Sequence, residues 1–96
     1  MRVVVRAAAA SDIEEAYRWY EGQRRGLGEE FLDAVQQTLD QLLANPEAHM
    51  VIHRETRRAL VPRRFPYGVF YRVYGETLVV VACMHASRDP QRWRER

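Results

Sequence analysis

The sequence contains no lysine, a single cysteine and no long apolar run, and each absence narrows what the chain can be. Cys83 has no second cysteine to pair with, which excludes an intramolecular disulfide and suits a reducing compartment. The longest apolar run, Leu78–Met84, is far shorter than the roughly 20 residues that cross a bilayer. No basic start followed by an apolar signal core marks the chain for export. We therefore expect a cytoplasmic protein without a membrane partner.

Metal-binding and multidomain organisations are also not expected. His49 and His53 stand without cysteines or carboxylates at metal-ligand spacing, so neither a metal nor another cofactor is predicted. With 96 residues there is room for one hydrophobic core, and residues 1–96 are expected to form a single domain. An apolar content of 47% is typical of a folded chain rather than a disordered one.

All fifteen basic residues are arginines, and most lie in the second half of the chain. Residues 1–53 hold five Arg and nine acidic residues, whereas residues 54–96 hold ten Arg and four acidic residues. A basic half attracts an anionic partner, either nucleic acid or an acidic protein segment, unless it only solvates the surface. Guanidinium groups bind phosphate or carboxylate, and a tryptophan can anchor an interface. The candidates for binding a target or nucleic acid are Arg57, Arg63, Arg64, Arg92, Trp93 and Arg94.

The first half of the chain predicts two helices that form an antiparallel hairpin. Residues 11–14 match a capping box, and apolar residues follow at i, i+3, i+4 and i+7 from Ile13. A second helix is predicted to begin with the acidic residues 29–30 and to end at residues 45–46, because the residue before a proline leaves the helical region. The short glycine-rich connection requires the two helices to run antiparallel.

Strands are predicted before and after the helices. The candidates are residues 3–5, residues 57–61, and a hairpin of residues 67–74 and 77–85 around the loop Gly75-Glu76, with 46–56 as a connection. The order β-α-α-β-β-β predicts an α+β fold. In it the helical hairpin packs on one face of a mainly antiparallel, twisted sheet.

Regular alternation of side chains assigns two faces to the hairpin. It places Arg72 opposite Val79 and Phe70 opposite Val81. The face expected to meet the helices carries Val69, Tyr71, Val73, Leu78, Val80, Ala82 and Met84. The other face carries Phe70, Arg72, Tyr74, Thr77, Val79, Val81, Cys83 and His85. Because a large apolar patch is rarely left open to water, we expect the C-terminal tail, a partner segment or both to cover this second face.

Several short motifs appear in a specific order along the chain: Trp19-Tyr20-Glu21, Gly26-Leu27-Gly28, Asn45-Pro46, Phe65-Pro66-Tyr67, Tyr71-Arg72-Val73 and His85-Ala-Ser-Arg88-Asp89-Pro90. On these motifs the chain resembles the toxins of the RelE/ParE superfamily, the plasmid-stabilising half of bacterial type II toxin–antitoxin modules. The resemblance implies a cognate antitoxin that is partly disordered and wraps the toxin as it orders. The candidate antitoxin-binding residues are Phe70, Tyr74, Val79 and Val81.

Two activities occur among proteins similar to this chain. The closing motif with Trp93 looks more like the ParE branch, which implies a growth inhibitor that binds DNA gyrase and catalyses nothing. The RelE branch instead implies an endoribonuclease that cuts mRNA on the ribosome, for which a base and phosphate-binding cations are needed. Its candidate catalytic residues here are Arg72, His85 and Arg88, but Gly68 and Trp93 replace residue types usual in that branch. A non-toxic binding module or inactive family member is a third alternative.

Overall fold

A computed structural model describes residues 1–62 and 64–96 and confirms the α+β class and the element order. The elements are β1 (Arg2–Val5), α1 (Ala7–Gln23), α2 (Leu27–Ala44), β2 (Val51–His53), β3 (Thr56–Leu60), β4 (Tyr67–Tyr74), β5 (Thr77–His85) and α3 (Gln91–Arg94). The short elements β2 and α3 were not predicted from the sequence. No helix in the described part of the chain is long and apolar enough to cross a membrane.

The five strands form one sheet in the order β1-β5-β4-β3-β2. β1 runs parallel to β5, and the other neighbouring strands are antiparallel. The interpretation of residues 46–56 as a plain connection was wrong, because β2 lies within it and forms one edge of the sheet. Three residues are too few to show the alternation that identifies a strand in a sequence.

The first helix begins five residues earlier than the capping box predicts. It starts at Ala7, and residues 7–10 are all alanine, the residue with the highest helix propensity. The capping-box interpretation of residues 11–14 was therefore wrong, and Asp12 lies inside the helix. The second helix starts at Leu27 and ends at Ala44, so the predicted stop at residues 45–46 is confirmed.

The connection between the helices is held by a carboxylate and two glycines. Glu21 accepts hydrogen bonds from the backbone N–H groups of Gly26 (3.0 and 3.1 Å) and Gly28 (3.0 Å). Gly26 has a φ of 88°, which a residue with a Cβ rarely adopts. A Cβ on Gly28 would lie 2.8 Å from the carbonyl oxygen and ring carbons of Tyr17, so this glycine sets how closely the helices approach.

The sheet separates two hydrophobic clusters. The larger cluster lies between the sheet and the helical hairpin, and rings from both layers meet there. The ring centroid of Phe31 in α2 lies 5.2 Å from that of Tyr67 in β4 and 5.2 Å from that of Tyr20 in α1. The smaller cluster lies on the opposite side, which we call the outer face. It consists of Phe70, Val81, Ala82, Met84 and Trp93, and α3 supplies the tryptophan.

The hairpin pairs as predicted near its loop and differently beyond it. Tyr74 pairs with Thr77 and Arg72 with Val79, as predicted. A β-bulge then adds one residue to β5, so that Phe70 pairs with Ala82 and the prediction that it pairs with Val81 was wrong. Beyond the bulge the two faces of β5 are exchanged: Ala82 and Met84 belong to the outer cluster, while Cys83 belongs to the helix-side core.

Candidate functional site

The bulge separates the two candidate catalytic residues that alternation placed together. His85 lies on the helix side, with its ring 5.4 Å from that of Tyr67, and lines a cleft with residues of α1. Arg72 lies on the outer face, where its Nε donates a hydrogen bond to Oγ1 of Thr56 at 3.0 Å. The prediction that Arg72 and His85 share one face was therefore wrong.

His85 and Arg88 share a cleft between α1 and the segment that follows β5. The cleft is also lined by Asp12, Glu15 and Arg92. Its charges are thus mixed, with carboxylates from α1 facing guanidinium groups from the chain after the hairpin. Of the three candidate catalytic residues, His85 and Arg88 are close together and Arg72 is not.

The protonation pattern of His85 follows from its hydrogen bonds. The backbone N–H of Ser87 donates to Nδ1 at 3.0 Å, and the Ser87 hydroxyl lies 2.8 Å from the same nitrogen. A backbone amide can only donate, so Nδ1 acts as the acceptor and the neutral ring carries its proton on Nε2. The imidazole therefore presents an N–H donor rather than a base on its Nε2 side.

Trp19 gives the cleft an exposed aromatic wall. Its side chain is 60% exposed, and it borders both the charged part of the cleft and an adjoining, more apolar part formed with Pro66 and Tyr67. Exposed tryptophans next to arginines are typical of binding surfaces. The cleft therefore has the composition of a protein-binding site.

Asp12 connects the cleft to the end of the described chain. Its Oδ2 accepts a hydrogen bond from the backbone N–H of Cys83 at 3.0 Å. Both terminal nitrogens of Arg96 contact its carboxylate, the second one at 3.1 Å, and the pair is largely buried. Asp12 thus accepts a hydrogen bond from a backbone N–H of β5 that lies beyond the residues paired with β1. Its ion pair with Arg96 holds the residues that follow α3.

Cys83 is expected to be chemically inert in the folded protein. Burial, together with the nearby charge of Asp12, raises the pKa of its thiol to about 12. Because the thiolate is the reactive form, iodoacetamide should label the native protein far more slowly than the denatured protein at about pH 8. Equal labelling rates would contradict the buried position.

The same thiol makes stability depend on pH. Since the unfolded thiol ionises near pH 9, the free energy of unfolding should fall as the pH rises from about 9 towards 12.

The outer cluster is already covered by the chain itself. Trp93 is only 6% exposed and stacks on Phe70 with 4.7 Å between the ring centroids. Two of the candidate antitoxin-binding residues, Phe70 and Val81, are buried there. Tyr74 is 44% exposed, and Val79 is partly buried. As the sequence suggested, a C-terminal segment forms at least part of the cover.

The outer face also has a positively charged opening. Arg72 and Arg94 line it together with His53, Arg54 and Glu55. Partial burial and then the charges of Arg94, Arg54 and Arg72 lower the pKa of His53. The opening therefore favours anions over cations.

The remaining candidate target-binding arginines have structural contacts or lie outside the described chain. Arg57 donates hydrogen bonds to the carbonyl oxygens of His49 (2.6 Å) and Glu47 (3.2 Å). Arg64 pairs with Glu30, and its guanidinium lies 5.7 Å from the ring centroid of Phe65. Arg63 lies outside the described residues.

Gly68 allows a neighbouring arginine to cross the outer face. A Cβ built on Gly68 would lie 3.1 Å from both Cγ and Cδ of Arg58, which belongs to the adjacent strand β3. The aliphatic part of the Arg58 side chain therefore occupies the space that a side chain at position 68 would need. Within residues 1–62 and 64–96, no three His, Cys, Asp or Glu side chains come together as a metal site.

Sequence reasoning missed several residues of these sites. Asp12, Glu15 and Trp19 lie on α1 next to the buried Ala16. Two acidic residues and a tryptophan beside a core position of a helix were the signal in the sequence that could have identified this site. His53 and Arg54 lie at a tight turn between β2 and β3, and Arg54 has a φ of 52°. No pattern in the sequence identifies that turn.

Comparison with known proteins identifies the family. The sequence model of a protein family, the ParE toxin of the type II toxin–antitoxin system parDE, matches residues 3–90 of this chain. Among solved structures, a chain of a chromosomal ParDE toxin–antitoxin system from P. aeruginosa has 23% sequence identity and a TM-score of 0.67. That match covers 88% of this chain and 95% of the other, and it shows a shared fold. No match was found among curated proteins. The chain therefore belongs to the ParE toxin family, the toxin component of type II toxin–antitoxin modules, in which an antitoxin is its partner.

Proposed function

We propose that this toxin arrests growth by binding DNA gyrase without catalysing a reaction, and that its cognate antitoxin neutralises it. The observation that supports this proposal is the separation of His85 from Arg72 by the sheet. Cleavage of RNA requires a proton acceptor and cations around one phosphate, within hydrogen-bond reach of the reacting atoms. The candidate catalytic residues His85 and Arg72 lie on opposite faces of the sheet and do not meet that requirement together.

The cleft around His85 is also poorly suited to RNA. Arg88 and Arg92 bring positive charge to it, but Asp12 and Glu15 bring two carboxylates. The carboxylate of Glu15 repels a phosphate backbone, whereas the charge of Asp12 is already offset by its ion pair with Arg96. The Nε2 side of His85 carries a proton in the neutral ring and so does not accept one there.

The same cleft is well suited to a protein. An exposed tryptophan with arginines around it has the composition of an interface hot spot, and charges of both signs can pair with a partner surface. We therefore place the gyrase contact at Trp19, Arg88 and Arg92. The antitoxin is proposed to be an acidic or mixed segment that docks an amphipathic helix. The cytoplasm is the proposed compartment, since gyrase acts there and Cys83 is a buried free thiol.

The proposal is tested by expressing the toxin in a bacterium and by adding the purified toxin to gyrase. We expect growth arrest with filamentation, an induced DNA-damage response, intact mRNA and inhibited supercoiling in vitro. The variant Trp19→Ala should weaken gyrase inhibition about 30-fold, the effect of losing about 2 kcal/mol at a hot spot. Met50→Ala serves as the control, because Met50 is an exposed apolar residue outside the cleft.

Each alternative function has its own result in this experiment. Cleavage of mRNA at codon boundaries, mapped by primer extension, would replace the gyrase proposal with a ribosome-dependent nuclease. Normal growth despite expression of the folded protein would favour a non-toxic binding module. Equal effects of Trp19→Ala and Met50→Ala on gyrase inhibition would contradict the proposal that the cleft contacts gyrase.

A further inference from the structure

The cationic opening on the outer face is not used by the proposed gyrase contact. His53 ends β2, Arg54 and Glu55 form the turn that follows, Arg72 belongs to β4 and Arg94 to α3. Residues far apart in the sequence thus bring three guanidinium groups and an imidazole to one place. Like charges do not gather in this way without a free-energy cost, which a bound anion would offset.

Arg72 is held from one side and free on the other. Its Nε donates to Oγ1 of Thr56, a buried hydroxyl that fixes the plane of the guanidinium. A guanidinium has five N–H donors, so this bond leaves the terminal N–H groups available. In the described ranges 1–62 and 64–96, no hydrogen bond or ion pair engages those terminal groups.

Arg54 and Arg94 also lack a carboxylate partner within the described part of the chain. The guanidinium of Arg94 lies 5.4 Å from the ring centroid of Trp93, and no hydrogen bond to residues 1–62 or 64–96 uses its side-chain N–H donors. Arg54 has a φ of 52°, in the left-handed region that side chains with a Cβ rarely adopt. Such strained residues cluster at binding sites, where the strain positions a group.

His53 responds to the charges around it. Its ring lies 6.0 Å from the Trp93 ring, and it faces Arg54 and Glu55 on the turn, Arg72 on β4 and Arg94 on α3. Burial, and then the charges of Arg94, Arg54 and Arg72, lower the pKa of His53 and so disfavour the protonated ring in the free protein. An anion in the opening would oppose the effect of the arginines and raise the pKa of His53.

We propose that this opening is a phosphate-binding site, in which Arg54, Arg72 and Arg94 donate hydrogen bonds to the oxygens of one phosphate group. Planar guanidinium groups bind phosphate through paired N–H donors. Three arginines that approach from separate elements suit a tetrahedral anion, whereas a carboxylate offers only two oxygens in one plane. The phosphate belongs either to a nucleic-acid strand or to a small phosphate compound, and the chemistry of recognition is the same. The site is independent of the gyrase contact.

The site can be tested by titrating the full-length protein with inorganic phosphate at constant ionic strength. The NMR signals of the His53 ring and the arginine Nε–H groups report binding. We expect saturable shifts at the residues of the opening and a rise in the pKa of His53. Arg94→Gln should weaken phosphate binding about tenfold, because it removes a charge-assisted hydrogen bond. Glu55→Gln should strengthen binding, because it removes a negative charge from the rim.

Arg25→Gln is the matched control. Arg25 is exposed in the connection between α1 and α2, so its loss changes the net charge equally without touching the opening. We expect it to change phosphate affinity less than twofold, because its charge is far from the opening and is screened by salt. Arg54→Gln is a second, exposed variant, which leaves the hydrogen bond between Arg72 and Thr56 intact and should also weaken phosphate binding.

Two results would overturn the proposal: the absence of saturable shifts, and an equal loss of affinity in Arg25→Gln and Arg94→Gln. A second titration with a short single-stranded oligodeoxythymidine identifies the source of the phosphate. Tighter binding than inorganic phosphate, with a salt dependence that Arg94→Gln reduces, assigns the site to a nucleic-acid strand. Equal affinity per phosphate assigns it to a small phosphate compound.

Discussion

Trp93→Ala should lower the free energy of unfolding by about 3–5 kcal/mol, as large-to-small changes at buried tryptophans do. The indole is 6% exposed and stacks on Phe70, and the rest of the outer cluster lies beneath α3. Its removal leaves a cavity and opens an apolar face of the sheet to water. Urea denaturation followed by circular dichroism measures the loss. Total stability of a small domain is only about 5–15 kcal/mol, so the variant should be close to unfolding.

Trp19→Ala provides the matched control for this prediction. It removes the same side chain from a position that is 60% exposed, and we expect a change of about 0.5 kcal/mol or less. A similar loss in both variants would contradict the assignment of Trp93 as the anchor of α3. The pair also separates stability from binding, since Trp19→Ala is expected to affect gyrase inhibition and Trp93→Ala the fold.

Gly28→Ala should destabilise the protein by about 1–3 kcal/mol through overpacking between the two helices. The added Cβ would lie 2.8 Å from the carbonyl oxygen and the ring of Tyr17, closer than real contacts allow. A backbone oxygen cannot move aside as a flexible side chain can, so α1 and α2 must separate. Thermal and urea unfolding measure the effect.

Gly22→Ala should have the opposite sign. Gly22 lies in the last turn of α1, and a Cβ there would meet nothing within 4 Å. Alanine is preferred to glycine in a helix by about 0.5–1 kcal/mol, so this variant should be slightly more stable than the parent. An equal loss of stability in both variants would contradict close approach at Gly28 as the cause of the Gly28→Ala effect.

Elements with local signals could be predicted from the sequence. The hairpin loop was found because Gly75, with a φ of 57°, starts a two-residue turn between two strands. The end of α2 was found because Pro46 excludes its predecessor from the helix. In both cases one residue type imposes a backbone conformation, whatever the rest of the chain does.

The composition of the site could not be predicted in the same way. The residues of β5 from Val79 to Met84 are all apolar, and both faces of the sheet are buried at this point. No polar residue in that stretch indicates which side chains face the helices, so regular alternation was the only guide. It fails at Val81, where the bulge occurs, and the error moves Cys83 and His85 to the wrong side.

The position of Asp12 shows a second limit. Its hydrogen bond to the backbone N–H of Cys83 and its ion pair with Arg96 join residues that are far apart in the sequence. In the sequence, Asp12 was only an unspecified position between Ser11 and Glu14 of the predicted capping box. The alanines before it extend the helix, and only the three-dimensional contacts assign the carboxylate to its partners.

The extra residue in β5 has an evolutionary consequence. Because side chains alternate with a period of two, removal of a single codon at Val81 would rotate everything that follows by half a turn relative to the sheet. The imidazole of His85 would then move from the helix side to the side of Arg72. One insertion or deletion, without any change of residue type, can therefore redistribute chemical groups between two surfaces of this fold.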